Sequence, residues 1–498
     1  MLFNSYIFIF AFLPATLLLY SASARVHARA AIATLVVASL FYYGWWAPRY
    51  VFLILFSILF NYSIGLVLAS DTRPERMRRG ALVFGVCVNL GLLAYFKYAL
   101  FIASNVSSLF DIPINLGTIT LPLAISFFTF QQIAYLVDAR RGLTREYSFI
   151  DYCLFVTFFP QLIAGPIVHH GEMLPQFADK RTARPSADNL TVGLSIFAAG
   201  LFKKVVLADG VSGTANSVFD AALAGGGVTF LDAWAGALAY TLQLYFDFSG
   251  YSDMAIGIGR MFGIRLPVNF DSPYKARSIV DFWRRWHITL SRFLRDYLYI
   301  PLGGNRHGRG RRYVNLMLTM LLGGLWHGAA WTFLFWGGLH GLYLVLNHAL
   351  SAVSAPFRER SGVIGWAYRT GAWGLTFLAV VVGWVFFRAE SFGAAWSILG
   401  AMFGAQGVSL ERVFLGVDAA LAIAAASAIA VLAPNTNELF RWVNTPIGWK
   451  PREPETLPRV FGWVAWSRTV GWAVIGGAVL AVAIVYVSRA NEFLYYQF

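Results

Sequence analysis

LGGLWHGAAWTFLFWGGLHG (322–341) is apolar, glycine-rich and aromatic along nearly its whole length, yet it holds two histidines, His327 and His340. Ionisable groups inside a segment fit for lipid are costly, and they mark pathways or reacting centres more often than they do in soluble proteins. A histidine that only caps a backbone carbonyl inside a bundle is the competing reading. Gly323, Gly324 and Gly328 flank His327 and permit close helix approach or local unwinding. His340 lies thirteen residues on, about 220° around a continuous helix. On that wheel the two rings do not share a face, an i,i+4 zinc pair is excluded, and His340 reads as structural or as lining.

The rest of the chain agrees with a membrane reading. Of 498 residues, 58% are hydrophobic and 13% charged, against roughly 25% charged in soluble domains. Mean hydropathy is +0.60. Apolar stretches of spanning length lie near 3–21, 29–46, 51–69, 81–101, 119–137, 149–168, 190–208, 230–247, 313–333, 334–350, 366–387, 413–433 and 469–488. Some are short or broken by Pro and Gly, so the expectation is 11–13 membrane segments, with re-entrant or interfacial helices among them. Residues 2–20 carry no basic n-region and read as a retained first span. Cys87 and Cys153 both sit in apolar segments, which argues against a disulfide framework or a cysteine metal site.

The net charge is +14. Its placement between apolar segments points to topology, lipid headgroups and anionic ligands rather than nucleic acid. The loop DTRPERMRRG (71–80) holds four arginines and is expected on the cytoplasmic side, as are DARRGLTRE (138–146) and the basic loop 435–468. Counting spans from these loops places both termini outside. Residues 260–312 carry twelve Lys or Arg against three Asp. Within them, DFWRRWHITLSRFLRDYLYIPLGG (281–304) is amphipathic at helical spacing. Arg284, Arg285, Arg292, Arg295 and Asp296 form one face, and Phe282, Trp283, Trp286, Leu290, Phe293 and Tyr297 the other. The spacing predicts one interfacial helix, His287 at the margin of its apolar side. The arginine face either anchors to acidic lipid or docks a phosphorylated cofactor. His287 and His327, on neighbouring elements, can frame one reaction chamber.

LYFDFSGYSDMAIGIG (244–259) places Asp247 and Asp253 in an apolar run. Such acids must be hydrogen-bonded or face water. Ser249, Tyr251 and Ser252 are at hand, so a polar scaffold lining a cavity is favoured over a catalytic carboxylate. A Walker loop, a G-x-S-x-G elbow, an H-E-x-x-H pair and a C-x-x-C pair are all missing from the sequence, which argues against the corresponding ATPase, hydrolase and zinc chemistries. No metal is expected.

FWRRWHITLSRFLRDYLYIPLGGNR followed by LLGGLWHGAAWTFLFWGGLHG resembles the membrane-bound O-acyltransferases. LYFDFSGYSDMAIGIG, FFPQLIAGPIV and LFNSYIFIFAFLP resemble the bacterial branch that serves alginate O-acetylation. The resemblance covers essentially the whole chain. It implies a single all-α integral-membrane domain over 1–498, with N-terminal spans over 1–148, a catalytic core over 149–350, and C-terminal spans with a periplasmic tail over 351–498. The helical bundle would surround a central tunnel, with Trp326, Asp247, Asp253 and His340 as lining residues. It also implies His327 as the essential residue and His287 as a second polar one. The donor would be cytoplasmic acetyl-CoA, with no permanently bound cofactor, and the basic region that holds Arg284, Arg285, Arg292 and Arg295 suits its phosphates. A periplasmic SGNH-type acetyltransferase would be the partner that places acetyl on an exported polysaccharide, and the location would be the bacterial inner membrane.

A neutral imidazole fits a thioester donor, because it can take the proton of a hydroxyl acceptor. The tail NEFLYYQF (491–498) has an F-x-Y pattern similar to the C-terminal tyrosine motif of D-alanine transfer systems, which makes Tyr495 a candidate acyl relay. An aromatic interface belt is the alternative for the tail. For the whole chain, the alternatives are a polysaccharide or lipid translocator, or direct acylation of lipid or protein.

Overall fold

The computed structural model describes all residues except 145–147, 180–181, 183–184, 359, 410–411, 442, 444–446, 448–463, 490–493 and 495–498. The described chain is helical, and an isolated bridge between Pro267 and Ile447 is its one strand-like pairing. Six helical stretches among the described residues are long and apolar enough to cross a membrane: 8–26, 49–69, 75–110, 187–223, 362–388 and 470–487. The chain is an all-α, multi-pass membrane protein. Helices suit lipid because every interior N–H and C=O is bonded within its own segment.

The chain divides into two compact units. The first comprises 1–201, 251–268 and 443–449. Its helices are α1 (Leu13–Val26), α2 (Ala28–Gly44), α3 (Arg49–Ala69), α4 (Glu75–Leu93), α5 (Ala99–Phe110), α6 (Ile125–Arg140), α7 (Phe149–Thr157), α8 (Phe159–Leu162), α9 (His170–Ala178) and α10 (Ala187–Phe202). The apolar stretch predicted as one span over 149–168 is two helices, because the chain turns at Phe158 just before Pro160. Polar side chains tie α3, α4, α6 and α7 together. Asn89 donates to Asn61 Oδ1 at 2.7 Å, Gln132 to Ser57 Oγ at 3.3 Å, and the Tyr152 hydroxyl to Gln132 Oε1. Such bonds act between membrane helices because the alternative is an unsatisfied polar group in hydrocarbon.

The second unit comprises 202–250, 269–442 and 450–498. It starts with a π-helical turn at Lys203–Ala208 that leads into α11 (Asp209–Leu223). The long α12 (Phe230–Met261) begins in this unit and ends in the first. Then follow α13 (Ile279–Trp283), α14 (Ile288–Leu294), α15 (Gly308–His327), α16 (Trp331–Ala349), α17 (Ser351–Arg358), α18 (Gly362–Arg388), α19 (Phe392–Met402), α20 (Val417–Leu432), α21 (Thr436–Leu439) and α22 (Val470–Val487). Trp286, Trp336 and Trp384 are among its largest fully buried side chains.

The apolar stretch that opened the sequence reading is the hairpin of α15 and α16. The two helices touch backbone to backbone. A Cβ on Gly324 would enter the Phe333 carbonyl, and one on Gly337 the Met320 carbonyl. Between the helices the chain is extended at Gly328 and Ala330.

This approach predicts that Gly324→Leu destabilises the protein by about 1–3 kcal/mol or more, the range for overpacking. Thermal unfolding of purified protein in detergent checks it. An unchanged midpoint would show that the hairpin is not built on this contact.

Candidate active site

His327 is the last residue of α15 and is 4% exposed. Its ring is packed by other rings: Trp326 at 5.0 Å, Trp336 at 5.2 Å and Phe387 of α18 at 5.3 Å between centroids. The extended break after it stops α15 at this point, so the imidazole sits at a helix end.

His287 comes from a different local device. It lies between α13 and α14 with φ +41° and ψ +54°, the left-handed region that a residue with a Cβ rarely adopts. Such a conformation costs about 1–3 kcal/mol and persists where surrounding bonds over-determine it. Here the Ile288 N–H donates to the Asn269 carbonyl and the Asp271 N–H to the Arg285 carbonyl, both at 2.9 Å. The single interfacial helix expected over 281–304 is therefore broken into α13, the His287 turn, α14 and a π-helical turn at Arg295–Tyr299. Hydrophobic periodicity carried through the break because Phe282, Trp286, Leu290 and Phe293 are all buried. His287 is fully buried rather than marginal. It lies outside the six spanning helices, and burial pushes its pKa down to about 3, so the ring is neutral at pH 7.

The two histidines come together, with ring centroids 6.5 Å apart. Phe248 packs edge-on against His287 at 4.7 Å. His340 is fully buried in α16, its ring 4.9 Å from Trp336 and 5.4 Å from Trp283. The helical wheel drawn from His327 to His340 does not apply, because the chain breaks at 328–330. Both rings instead pack on Trp336.

Asp247 lies in α12 and is 1% exposed. Its partners are not the nearby hydroxyls that the sequence offered. Lys204, from the π-helical turn, places Nζ 2.8 Å from Asp247 and 2.7 Å from Asp209. The Leu494 N–H donates to Asp247 Oδ2 at 3.0 Å. Asp253 is buried within the first unit. Of the four arginines, Arg285 bonds Asp281 at 2.9 Å, and Arg295 forks onto both oxygens of Asp296 at 2.7 and 3.0 Å. Arg284 is exposed and Arg292 half-buried. Tyr495 lies outside the described residues.

Sequence reasoning missed Lys204 and Asn269. Lys204 had a signal, a lysine pair at 203–204 closing an apolar run. Asn269 had none, since one asparagine in VNFDSPY looks like an ordinary loop residue.

Residues 137–382 match the membrane-bound O-acyltransferase family. A peptidoglycan O-acetyltransferase of Helicobacter pylori is 46% identical over 438 residues, 82% of this chain and 81% of that protein. The chain belongs to the membrane-bound O-acyltransferase family. A probable alginate O-acetylase, AlgI, of Pseudomonas aeruginosa is likewise 46% identical over 413 residues, 81% of this chain and 75% of that protein. A teichoic acid D-alanyltransferase of Streptococcus thermophilus is 30% identical over 239 residues, 46% of this chain and 57% of that protein. The family match runs from the end of α6 into α18 and so contains His287, His327, Trp326 and Trp336. The protein is accordingly an O-acyltransferase.

The buried cation makes a stability prediction. Lys204→Met leaves Asp209 and Asp247 without their shared counter-charge, and breaking a buried pair in this way costs about 3–5 kcal/mol. The thermal midpoint in detergent should fall steeply, and Asp247→Asn placed in the Lys204→Met background should recover part of the loss. A midpoint within a degree of wild type would contradict the pairing.

Proposed function

We propose that this O-acyltransferase moves an acetyl group from cytoplasmic acetyl-CoA across the bacterial inner membrane for O-acetylation of an exported, alginate-like polysaccharide. The observation that carries the reading is the buried pair of imidazoles, His287 and His327, held in an aromatic shell in a chain whose relatives bear the names of polysaccharide and peptidoglycan O-acetylases. His327 is the general base. It takes the proton of the acceptor hydroxyl as that oxygen attacks the thioester carbonyl carbon. The C–S bond breaks, and the imidazolium returns the proton to the departing thiolate of CoA. His287 either orients substrate or polarises the thioester carbonyl. The surrounding rings keep water, a competing acceptor, from the thioester.

The acceptor hydroxyl in this reading is the phenol of Tyr495. Support comes from its neighbour, since Leu494 is 5% exposed and bonded to Asp247 inside the second unit. An aryl acetate is an activated ester, able to hand its acetyl to the serine of a periplasmic SGNH-type partner, which then acylates the polymer. The basic segment 260–312 supplies the charge that a CoA phosphate needs at the cytoplasmic mouth, with Arg284 exposed within it. In this reading both termini lie in the periplasm, which the basic loops support.

Protein in nanodiscs, given acetyl-CoA labelled in the acetyl group, should retain label covalently. His327→Ala should lower the labelling rate at least about a hundredfold, the lower range for loss of a general base. Tyr495→Phe should abolish covalent label while leaving the protein monodisperse. Label that survives Tyr495→Phe but not His327→Ala would keep the base and discard the relay. Polymer acetylation unchanged in His327→Ala would overturn the assignment of the base.

A further inference from the structure

We propose that Asn269 is a positioning residue that fixes His287 in one tautomer, so that His287 presents a hydrogen-bond acceptor, not a donor, to the substrate.

The chain of reasoning starts at Thr289. Its backbone N–H reaches the Asn269 side chain at 3.4 Å and its hydroxyl reaches the same atom at 2.8 Å. A backbone N–H can only donate, so the Asn269 atom it meets is the amide oxygen, Oδ1, and not the NH₂ group. That oxygen can only accept. His287 Nδ1 faces the same oxygen at 3.0 Å, and so Nδ1 carries the hydrogen. In a neutral imidazole the other nitrogen then carries the lone pair, because the bond made by one ring nitrogen sets the state of the other. Nε2 of His287 is the acceptor.

The backbone enforces the same arrangement. Asn269 also receives the Ile288 N–H on its carbonyl at 2.9 Å, so one residue holds both the strained turn and the ring it presents. Among the described residues, the rings packed on it are those of Phe248, Phe270, Trp326 and His327, and of these His327 titrates. On the flanking segments, Asp271 accepts from Asn435 at 2.8 Å and Arg285 is engaged by Asp281 at 2.9 Å.

The consequence deepens the acyl-transfer reading and rests on it. Of the two roles open to His287, polarising the thioester carbonyl needs a donor and is excluded for this tautomer. Nε2 instead accepts from an N–H or O–H of the substrate. A CoA thioester offers amide N–H groups along its arm, and the acyl acceptor offers a hydroxyl.

A double-mutant cycle tests the assignment, because a residue acting through another loses its effect when that partner is gone. Acetyl transfer is measured for wild type, Asn269→Leu, His287→Ala and the double variant, each shown monodisperse by size exclusion. Asn269→Leu should lower kcat/KM about tenfold to hundredfold, the range for removing a residue that orients another's ring. In the His287→Ala background it should cost less than about twofold, within the scatter of additivity. Asn269→Asp keeps the accepting oxygen and should retain turnover, with the acid limb of its pH profile moved upward by about one unit because a carboxylate stabilises the imidazolium. This variant carries the test if the leucine variant does not assemble.

Equal costs of Asn269→Leu in both backgrounds would overturn the proposal, as would an unshifted pH profile in Asn269→Asp. A loss seen in KM for acetyl-CoA assigns the donor group to the thioester arm. A loss in kcat alone assigns it to the acceptor hydroxyl. Wild-type protein that transfers no acetyl with its periplasmic partner present would sink the acetyl-CoA reading itself, and this inference with it.

Discussion

The backbone contact between α15 and α16 at Gly324 and Gly337 is the constraint on which the site depends. Lipid gives membrane helices no hydrophobic reason to pair, since hydrocarbon solvates leucine as well as another helix does. Close packing has to supply the attraction, and only residues without side chains let two helix backbones approach this far. Once the pair is in register, the ring positions follow. Trp336, one residue before Gly337, falls between His327 at the end of α15 and His340 one turn further along α16. Gly383 of α18 extends the same logic, because a Cβ there would press on the His340 ring. Small residues and large rings alternate across this core, and each histidine is located by aromatic contact on several sides.

The fold class was legible because lipid imposes a coarse rule. Apolar stretches of spanning length, separated by arginine-rich loops, can only be helices crossing a membrane. His327 was legible as a candidate for the same reason, since an imidazole stands out where almost everything else is hydrocarbon, whereas His287 was picked out by its place on an amphipathic, arginine-rich segment. What escaped was the backbone between them. In 281–304 the apolar residues keep helical spacing across a turn that is not helical, so periodicity alone reports one helix where the chain makes two. Phe282 and Trp286 are buried before the break, Leu290 and Phe293 after it. Only the φ of His287 records the difference, and a histidine at a left-handed position carries no compositional mark of the kind that glycine or asparagine gives. The stretch 149–168 failed in a related way, because hydropathy averages over the turn at Phe158.

Partner choice was the other hidden layer. Asp247 sits among serines and tyrosines in sequence, and local hydroxyls were the natural candidates to satisfy it. The charge it actually meets, Lys204, comes from another helical segment. A hydroxyl offers one neutral donor, whereas a lysine offers charge and three donors, and in a low-dielectric interior that difference decides the pairing. The arginines show the opposite case. Arg285 and Arg295 close onto Asp281 and Asp296, acids only four and one residues away. Partly exposed pairs of this kind contribute little to stability.

These observations converge on one pattern. Inside a bilayer, non-helical backbone and ionisable side chains are each tolerated only when protein groups satisfy them. In this unit they occur together. Lys204 lies in a π-helical turn, His287 in a left-handed turn, and His327 at the point where α15 gives way to extended chain. Irregular backbone frees polar groups that then need partners, and the polar side chains provide them while being held by them in return. Asn269 is the clearest instance, accepting from the backbone of Ile288 and from the side chains of Thr289 and His287 at once. The chain thus leaves regular helix at the places where two of its buried imidazoles and its buried lysine lie.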